Sequence, residues 1–247
     1  MMTMKLFLPK QHGAWAMLII PFWLGVFASQ FKWLHIPLFL GWVFLYLATY
    51  PMLLLCKRKK KQQRFYAKWT AIYLGISLLL LSAPLVSEPG LFMFALIFLP
   101  FFLLNGYYSS VNKDRALTND ISAIAVFCLA GVASHFFGAR EMHNNGFHVA
   151  AVSFLFFLGS TFYVKTMIRE KKNASFKTIS WGYHGLVVLF WAFTGNWLVL
   201  LAFTPSLVRA IAFYGRKLSV MKVGIYEILN AVIFFLVMAV EIFKEAH

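Results

Sequence analysis

Lys57-Arg58-Lys59-Lys60-Lys61-Gln62-Gln63-Arg64-Phe65-Tyr66-Ala67-Lys68 lies between two long apolar runs that carry almost no charge, and its reading settles the fold. Seven of these twelve residues are basic and none is acidic. In a soluble protein such a run would point to nucleic acid. Here the flanking runs are long enough to cross a hydrocarbon core, so the stretch reads as a cytoplasmic loop. Moving several positive charges through lipid against the membrane potential is costly, which keeps Lys- and Arg-rich loops inside. Placing this loop inside sets the side of every other connection.

The composition agrees. The 247 residues are 61% hydrophobic and 13% charged, with a mean hydropathy of +0.74; soluble domains have about 45–50% apolar and about 25% charged residues. The apolar runs match the roughly 20 residues a helix needs to span a bilayer, not the shorter alternating strands of a barrel. The expected fold is an all-α, polytopic integral membrane bundle, a single transmembrane domain over residues 1–247. Net charge is +15. Of the 23 basic residues, 20 fall on the inner side once the loops are assigned, and only Lys32, Arg140 and Lys244 fall outside. Topology accounts for the basic balance, with membrane lipids and their anionic headgroups as partners and no support for nucleic acid. Cys56 and Cys128 show no metal or redox spacing and read as core residues. Val26-Phe27-Ala28 resembles a cleavage site, but Pro21 and Trp23 interrupt the apolar run, so the segment reads as an uncleaved first helix.

About nine spans follow, near residues 14–30, 37–56, 69–86, 91–109, 120–138, 147–167, 179–193, 197–213 and 223–243. The N-terminus is then cytoplasmic and the C-terminus outside. Pro21 is expected to kink the first helix. Pro100 and Asn105-Gly106 make the fourth the least regular, and broken helices mark binding sites in transporters. Ser87-Glu88-Pro89-Gly90 and Thr194-Gly195-Asn196 read as outer turns.

With the loops sorted, polar residues gather in the inner halves of the spans. They are His12, Asn105, Asn119, Asp120, Lys165, Arg169, Glu170, His184, Arg209, Glu227 and Asn230, while the outer halves offer little beyond His135. Ionisable groups in membrane helices face the bundle interior or water, so a one-sided set predicts an inward-opening pocket. Asp120 and Glu227 are the candidate catalytic groups. Lys10, His12, Asn119, Lys165, Arg169, His184 and Arg209 are the candidate ligand contacts. The structural readings are helix capping for Asn119 and Asp120, and dipole complementation for cations at helix C-termini. Glu141, His143 and His148 sit together in sequence, but their spacing does not put both imidazoles on one helical face as a metal site would ask.

Several blocks resemble the YwiC-like bacterial membrane proteins: Pro9-Lys10-Gln11-His12-Gly13-Ala14-Trp15-Ala16-Met17, Thr118-Asn119-Asp120, Val164-Lys165-Thr166-Met167-Ile168-Arg169-Glu170, Arg209-Ala210 and Gly224-Ile225-Tyr226-Glu227. That resemblance implies a protein of the bacterial cytoplasmic membrane. The nine-span topology with a polar inner face is also similar to the UbiA prenyltransferase superfamily, which implies a membrane-embedded transferase acting on a phosphate-bearing lipid or isoprenoid, with magnesium as cofactor. The sequence departs from that superfamily where Asp-rich loops should lie: the loops after the second and sixth helices are basic, and Ala123 stands where a further Asp would follow Asn119-Asp120. Lys10, Lys165, Arg169 and Arg209 would then hold an anion directly. The alternative function is transport of a small anionic or proton-coupled solute.

Single cysteines placed in the 57–68 stretch are expected to react with membrane-impermeant maleimide only after cells are opened. Labelling of intact cells would reverse the whole map.

Overall fold

The computed structural model describes residues 7–9, 13–57 and 62–246. Lys10 and His12 of the expected site lie outside them, as does the centre of the basic stretch. Nine α-helices run through the described residues: α1 (Gly13–Phe27), α2 (His35–Cys56), α3 (Gln63–Ser87), α4 (Phe92–Ser110), α5 (Leu117–Ala139), α6 (Asn144–Ile168), α7 (Ala174–Thr194), α8 (Trp197–Ala212) and α9 (Val220–Ala246). A single 3-10 turn, Pro89–Leu91, joins α3 to α4. The chain is an all-α polytopic bundle. Six helices, α2 to α6 and α9, are long and apolar enough to cross a membrane, while α1 and α8 are apolar but shorter.

Connections alternate between two ends. At the basic end Lys57 Nζ meets Asp114 Oδ2 at 2.7 Å, tying α2 to the α4–α5 connection. Ser109 Oγ donates to the Leu53 carbonyl there at 2.9 Å. Partial burial pushes the Asp114 carboxyl up, but the Lys57 ammonium outweighs it and holds the group below its ordinary 3.8. A depressed carboxylate stabilises the fold above that ordinary value, and the tether is lost as pH falls through the lowered one. At the opposite end Lys32 Nζ donates to the Phe137 carbonyl at 2.7 Å, and the buried His35 places Nε2 3.1 Å from the Ser134 carbonyl oxygen.

The centre is the crossing of α1 on α5. Backbones meet there because both helices present small residues, the usual device where lipid removes the hydrophobic advantage of helix contact. A Cβ at Gly131 would lie 2.6 Å from the Pro21 carbonyl oxygen, and one at Gly25 would collide with Gly131 O and Ser134 Oγ. Ser134 Oγ donates to the Phe22 carbonyl at 2.7 Å across this crossing. On one flank α2 and α4 close an apolar core of Leu18, Phe22, Trp42, Phe94 and Phe127, with α3 packed on α2 at the rim. On the other, α6 to α9 build a second core around Val152, Phe156, Val199, Phe203 and Phe234.

The local departures from expectation have simple causes. α3 starts at Gln63 rather than Trp69, since Gln63, Arg64, Ala67 and Lys68 are strong helix formers that carry the helix beyond its apolar length. α7 starts at Ala174 because Asn173 caps it, its Oδ1 accepting from the Ser175 N–H at 3.1 Å. α4 is continuous through Pro100. Asn105 there donates to the Phe101 carbonyl and to Ser122 Oγ, so this least regular segment is one helix packed against α5 with no break. Cys128 is buried as expected, whereas Cys56 ends α2 and is exposed.

Gly131→Val is expected to force α1 and α5 apart and to cost about 1–3 kcal/mol, the range for overpacking a tight core. Thermal unfolding of the purified protein in detergent measures it against Gly75→Ala, where a Cβ meets nothing within 4 Å.

Candidate functional site

The expected polar set divides between opposite faces of α6. At about 100° per residue, Lys165 lies roughly 160° around the helix from Tyr163. Lys165 faces α5 and Tyr163 faces α8 and α9. The two faces hold separate ion pairs.

On the α5 face, Lys165 Nζ is 2.8 Å from Asp120 Oδ2 and donates to the Arg115 carbonyl at 2.9 Å. Asp120 sits in the first turn of α5, where a carboxylate complements the helix dipole. Asn119 Nδ2 donates to the Asp114 carbonyl at 2.9 Å, tightening the same connection. Arg169 does not join this group: α6 ends at Ile168, and Arg169 caps it with an exposed side chain. Glu170 turns instead to Asn173, whose Nδ2 donates to Glu170 Oε2 at 3.0 Å.

On the other face, four helices contribute to one buried cluster. Arg209 of α8 is 6% exposed and pairs through Nη1 with Glu227 Oε1 of α9. Its guanidinium lies over the Tyr163 ring of α6, 4.1 Å from the centroid, a cation–π contact that holds the plane in place. His184 of α7 is buried, with Nδ1 2.7 Å from the Ser180 carbonyl oxygen. A carbonyl only accepts, so Nδ1 carries the proton and neutral His184 presents a lone pair at Nε2. That nitrogen faces Gly159, where a Cβ would come within 3.1 Å of it. One turn further along α8 and α9, Asn230 Nδ2 donates to Ser206 Oγ at 2.9 Å.

This cluster is incompletely satisfied. Among the described residues, Arg209 Nε and Nη2, His184 Nε2, Tyr163 OH and Asn230 Oδ1 are buried without a hydrogen-bond partner. Buried polar atoms are paired as a rule, and an unpaired one costs about 1–3 kcal/mol. The open guanidinium nitrogens of Arg209, with the Tyr163 hydroxyl beside them, form a ready receptor for a small anion, since a planar fork matches carboxylate or phosphate oxygens.

A magnesium–diphosphate site of the UbiA kind fits these residues poorly. Among the described residues no three His, Cys, Asp or Glu side chains come together. Asp114, Asp120 and Glu227 are each already engaged by a Lys or Arg.

A further polar group lies at the opposite end, where only His135 had been expected. Glu241 of α9 is 2% exposed. Its Oε1 accepts from Asn196 Nδ2 at 3.0 Å and lies 3.3 Å from His148 Nε2 of α6. His148 thus turns away from Glu141 and His143, which meet each other at 3.6 Å on the surface. Spacing in the sequence holds a cue to Glu241. Glu227 and Glu241 are fourteen residues apart, four turns less roughly 40°, so one buried stripe of α9 carries both. The residues between them on that stripe, Asn230, Phe234 and Met238, are buried. An aromatic layer separates the two ends: Phe234 stacks on Phe156 with centroids 4.0 Å apart and meets Phe203 edge-on at 5.6 Å.

Residues 8–135 match the family profile described as YwiC-like protein. A protein of Bacillus subtilis (strain 168), described as uncharacterized protein YwiC, is 44% identical over 235 residues, 95% of this chain and 98% of its own length. An uncharacterized protein of Haemophilus influenzae (strain ATCC 51907 / DSM 11121 / KW20 / Rd) is 38% identical over 237 residues, 96% of this chain and 99% of its own. No solved structure matches.

Glu227→Ala strands the Arg209 cation in a buried site and is expected to cost about 3–5 kcal/mol of stability. Replacing both partners, Arg209→Met with Glu227→Leu, is expected to cost less than Glu227→Ala alone. Thermal unfolding in detergent, followed by tryptophan fluorescence, reads both.

Proposed function

The chain belongs to the YwiC-like family, and from that premise and the side chains of α6–α9 we propose that it is a carrier that moves a small anionic solute together with a proton. The proposal places it in the cytoplasmic membrane with its basic end inside, its N-terminus cytoplasmic and its C-terminus outside. One observation carries the reading: a buried guanidinium with two open donor nitrogens, Arg209 Nε and Nη2.

Charge accounting supplies the proton. Arg209 and Glu227 together are neutral, and neutral His184 adds nothing. A monovalent anion arriving alone would leave a net negative charge in a low-dielectric site, at a cost of several kcal/mol. Protonation of Glu227 restores neutrality and also releases Nη1 to the anion. Solute and proton therefore bind as a pair. The Glu241 group at the far end of the same helical stripe favours transport over a one-sided enzyme, because a carrier needs polar groups on both approaches to its site. The aromatic layer of Phe156, Phe203 and Phe234 would keep those approaches from opening together.

A second reading, a prenyltransferase-like enzyme acting on a phosphate-bearing lipid or isoprenoid, is supported by the cations of the basic end. Lys165 lies close to the membrane boundary there, and exposed Arg169 could reach a headgroup.

The purified chain in proteoliposomes, with acid outside and labelled inorganic phosphate or small carboxylates as probes, tests the first reading. Accumulation of at least one probe is expected. Arg209→Lys should end it while the protein remains folded, because an ammonium cannot reproduce the fork. Glu227→Gln should keep exchange of that probe but lose accumulation driven by the proton gradient. No uptake of any probe by the wild type, together with a prenyl or phospholipid species in native mass spectra that Arg169→Ala releases, overturns transport in favour of the enzyme.

A further inference from the structure

We infer that Glu241 and His148 form a proton-binding site at the end of the bundle opposite the basic loop, with the proton held between the carboxylate and the imidazole. The inference concerns this second site alone and does not rest on any solute binding at Arg209.

The geometry comes first. Glu241 Oε1 is fully engaged, accepting from Asn196 Nδ2 at 3.0 Å with His148 Nε2 at 3.3 Å. Oε2 is buried with no hydrogen-bond partner among the described residues. Asn196 is itself held in place, since its Oδ1 caps α8 by accepting from the Val199 N–H at 3.2 Å. The left-handed Gly195, φ +74°, turns the chain so that this cap can face α9. A carboxylate has therefore been positioned by three helices and left with one oxygen open.

The surroundings set the charge. α6 contributes His148, and α7 contributes Trp191, whose ring centroid is 6.1 Å from that of His148. α8 contributes the uncharged Asn196, and α1 contributes Phe27, stacked near Phe243 with centroids 5.3 Å apart. The nearest charged group along α9 is Lys244, at the exposed end of the helix. No Lys or Arg pairs with Glu241 among the described residues. With His148 neutral and Glu241 ionised, the pair would bury a net negative charge. One added proton makes it neutral, whether it resides on Glu241 as a carboxylic acid or on His148 as imidazolium opposite the carboxylate.

Access is asymmetric. The His148 side chain is 27% exposed and that of Glu241 only 3%. The imidazole is the more exposed partner although its Nε2 is itself buried against Glu241, so the ring serves as the entry and the carboxylate as the store. The aromatic layer of Phe156, Phe203 and Phe234 closes the path towards Arg209 and Glu227.

Trp191 provides the reporter, since an indole beside an imidazole loses fluorescence when the imidazole becomes charged. The full chain in detergent is titrated with pH, and the signal of Trp191→Phe is subtracted from that of the wild type. The expected result is one Trp191-dependent transition. Glu241→Gln keeps an acceptor for Asn196 but removes the negative partner of the imidazolium, and should move the transition to lower pH by about 1–3 units. His148→Gln should abolish it. Glu227→Gln, beyond the aromatic layer, should leave it in place. Absence of a Trp191-dependent transition in the wild type, or a transition that Glu241→Gln does not move, overturns the inference. Because no solute is present, its failure is distinguishable from failure of anion uptake.

Discussion

A charge in hydrocarbon must find its partner inside the protein, and that constraint organises every interior polar group of this bundle. Arg209 is the sharpest case. Its guanidinium cannot lose its charge, so α8 can occupy the interior only with Glu227 of α9 on one side and the Tyr163 ring of α6 on the other. Lys165 with Asp120 and Lys57 with Asp114 solve the same problem near the basic end, where water is closer. Lys57 with Asp114 ties the end of α2 to the α4–α5 connection, while the other two pairs lock consecutive helices, α5 to α6 and α8 to α9.

The pairing depends on a scaffold that brings backbones close. α1 and α5 cross through Gly25, Gly131 and Ser134, and that contact separates two unlike halves. The half built from α2, α3 and α4 is almost wholly apolar within its span and presents long faces such as Leu78, Leu79, Leu96 and Leu103 to its surroundings. The half built from α6 to α9 carries most of the incompletely satisfied polar atoms among the described residues. Their concentration in one half gives the molecule a division between anchor and working part. A polar interior is affordable in the second half because Phe156, Phe203 and Phe234 keep the two polar groups apart in a dry layer.

Two carboxylates on one stripe of α9, one near each end, give the working half its sense of direction. Glu227 is matched by a permanent cation, Arg209. Glu241 is matched by an imidazole and an amide, neither of which carries a permanent charge.

Composition and charge order by themselves determined the class, because about 20 apolar residues in a run have few stable destinations other than a membrane. The sequence also located Asp120, Lys165, His184, Arg209 and Glu227 as interior polar residues, since hydropathy makes each conspicuous against its segment. It did not determine which of them meet. Lys165 and Arg209 read alike as cations near inner helix ends, yet two residues of helical rotation between Tyr163 and Lys165 send the two pairs to opposite faces of α6. Arg169 read, with Lys165, as a candidate ligand contact, but the helix stops at Ile168 and leaves it exposed. Glu241 fell within the last expected span but was not singled out, and the packing of α9 against α6 and the Asn196 side chain bury it. Hydropathy reports the cost of placing a residue in lipid, whereas the partner that removes that cost comes from another helix, and its identity is decided by rotation, crossing and caps in three dimensions.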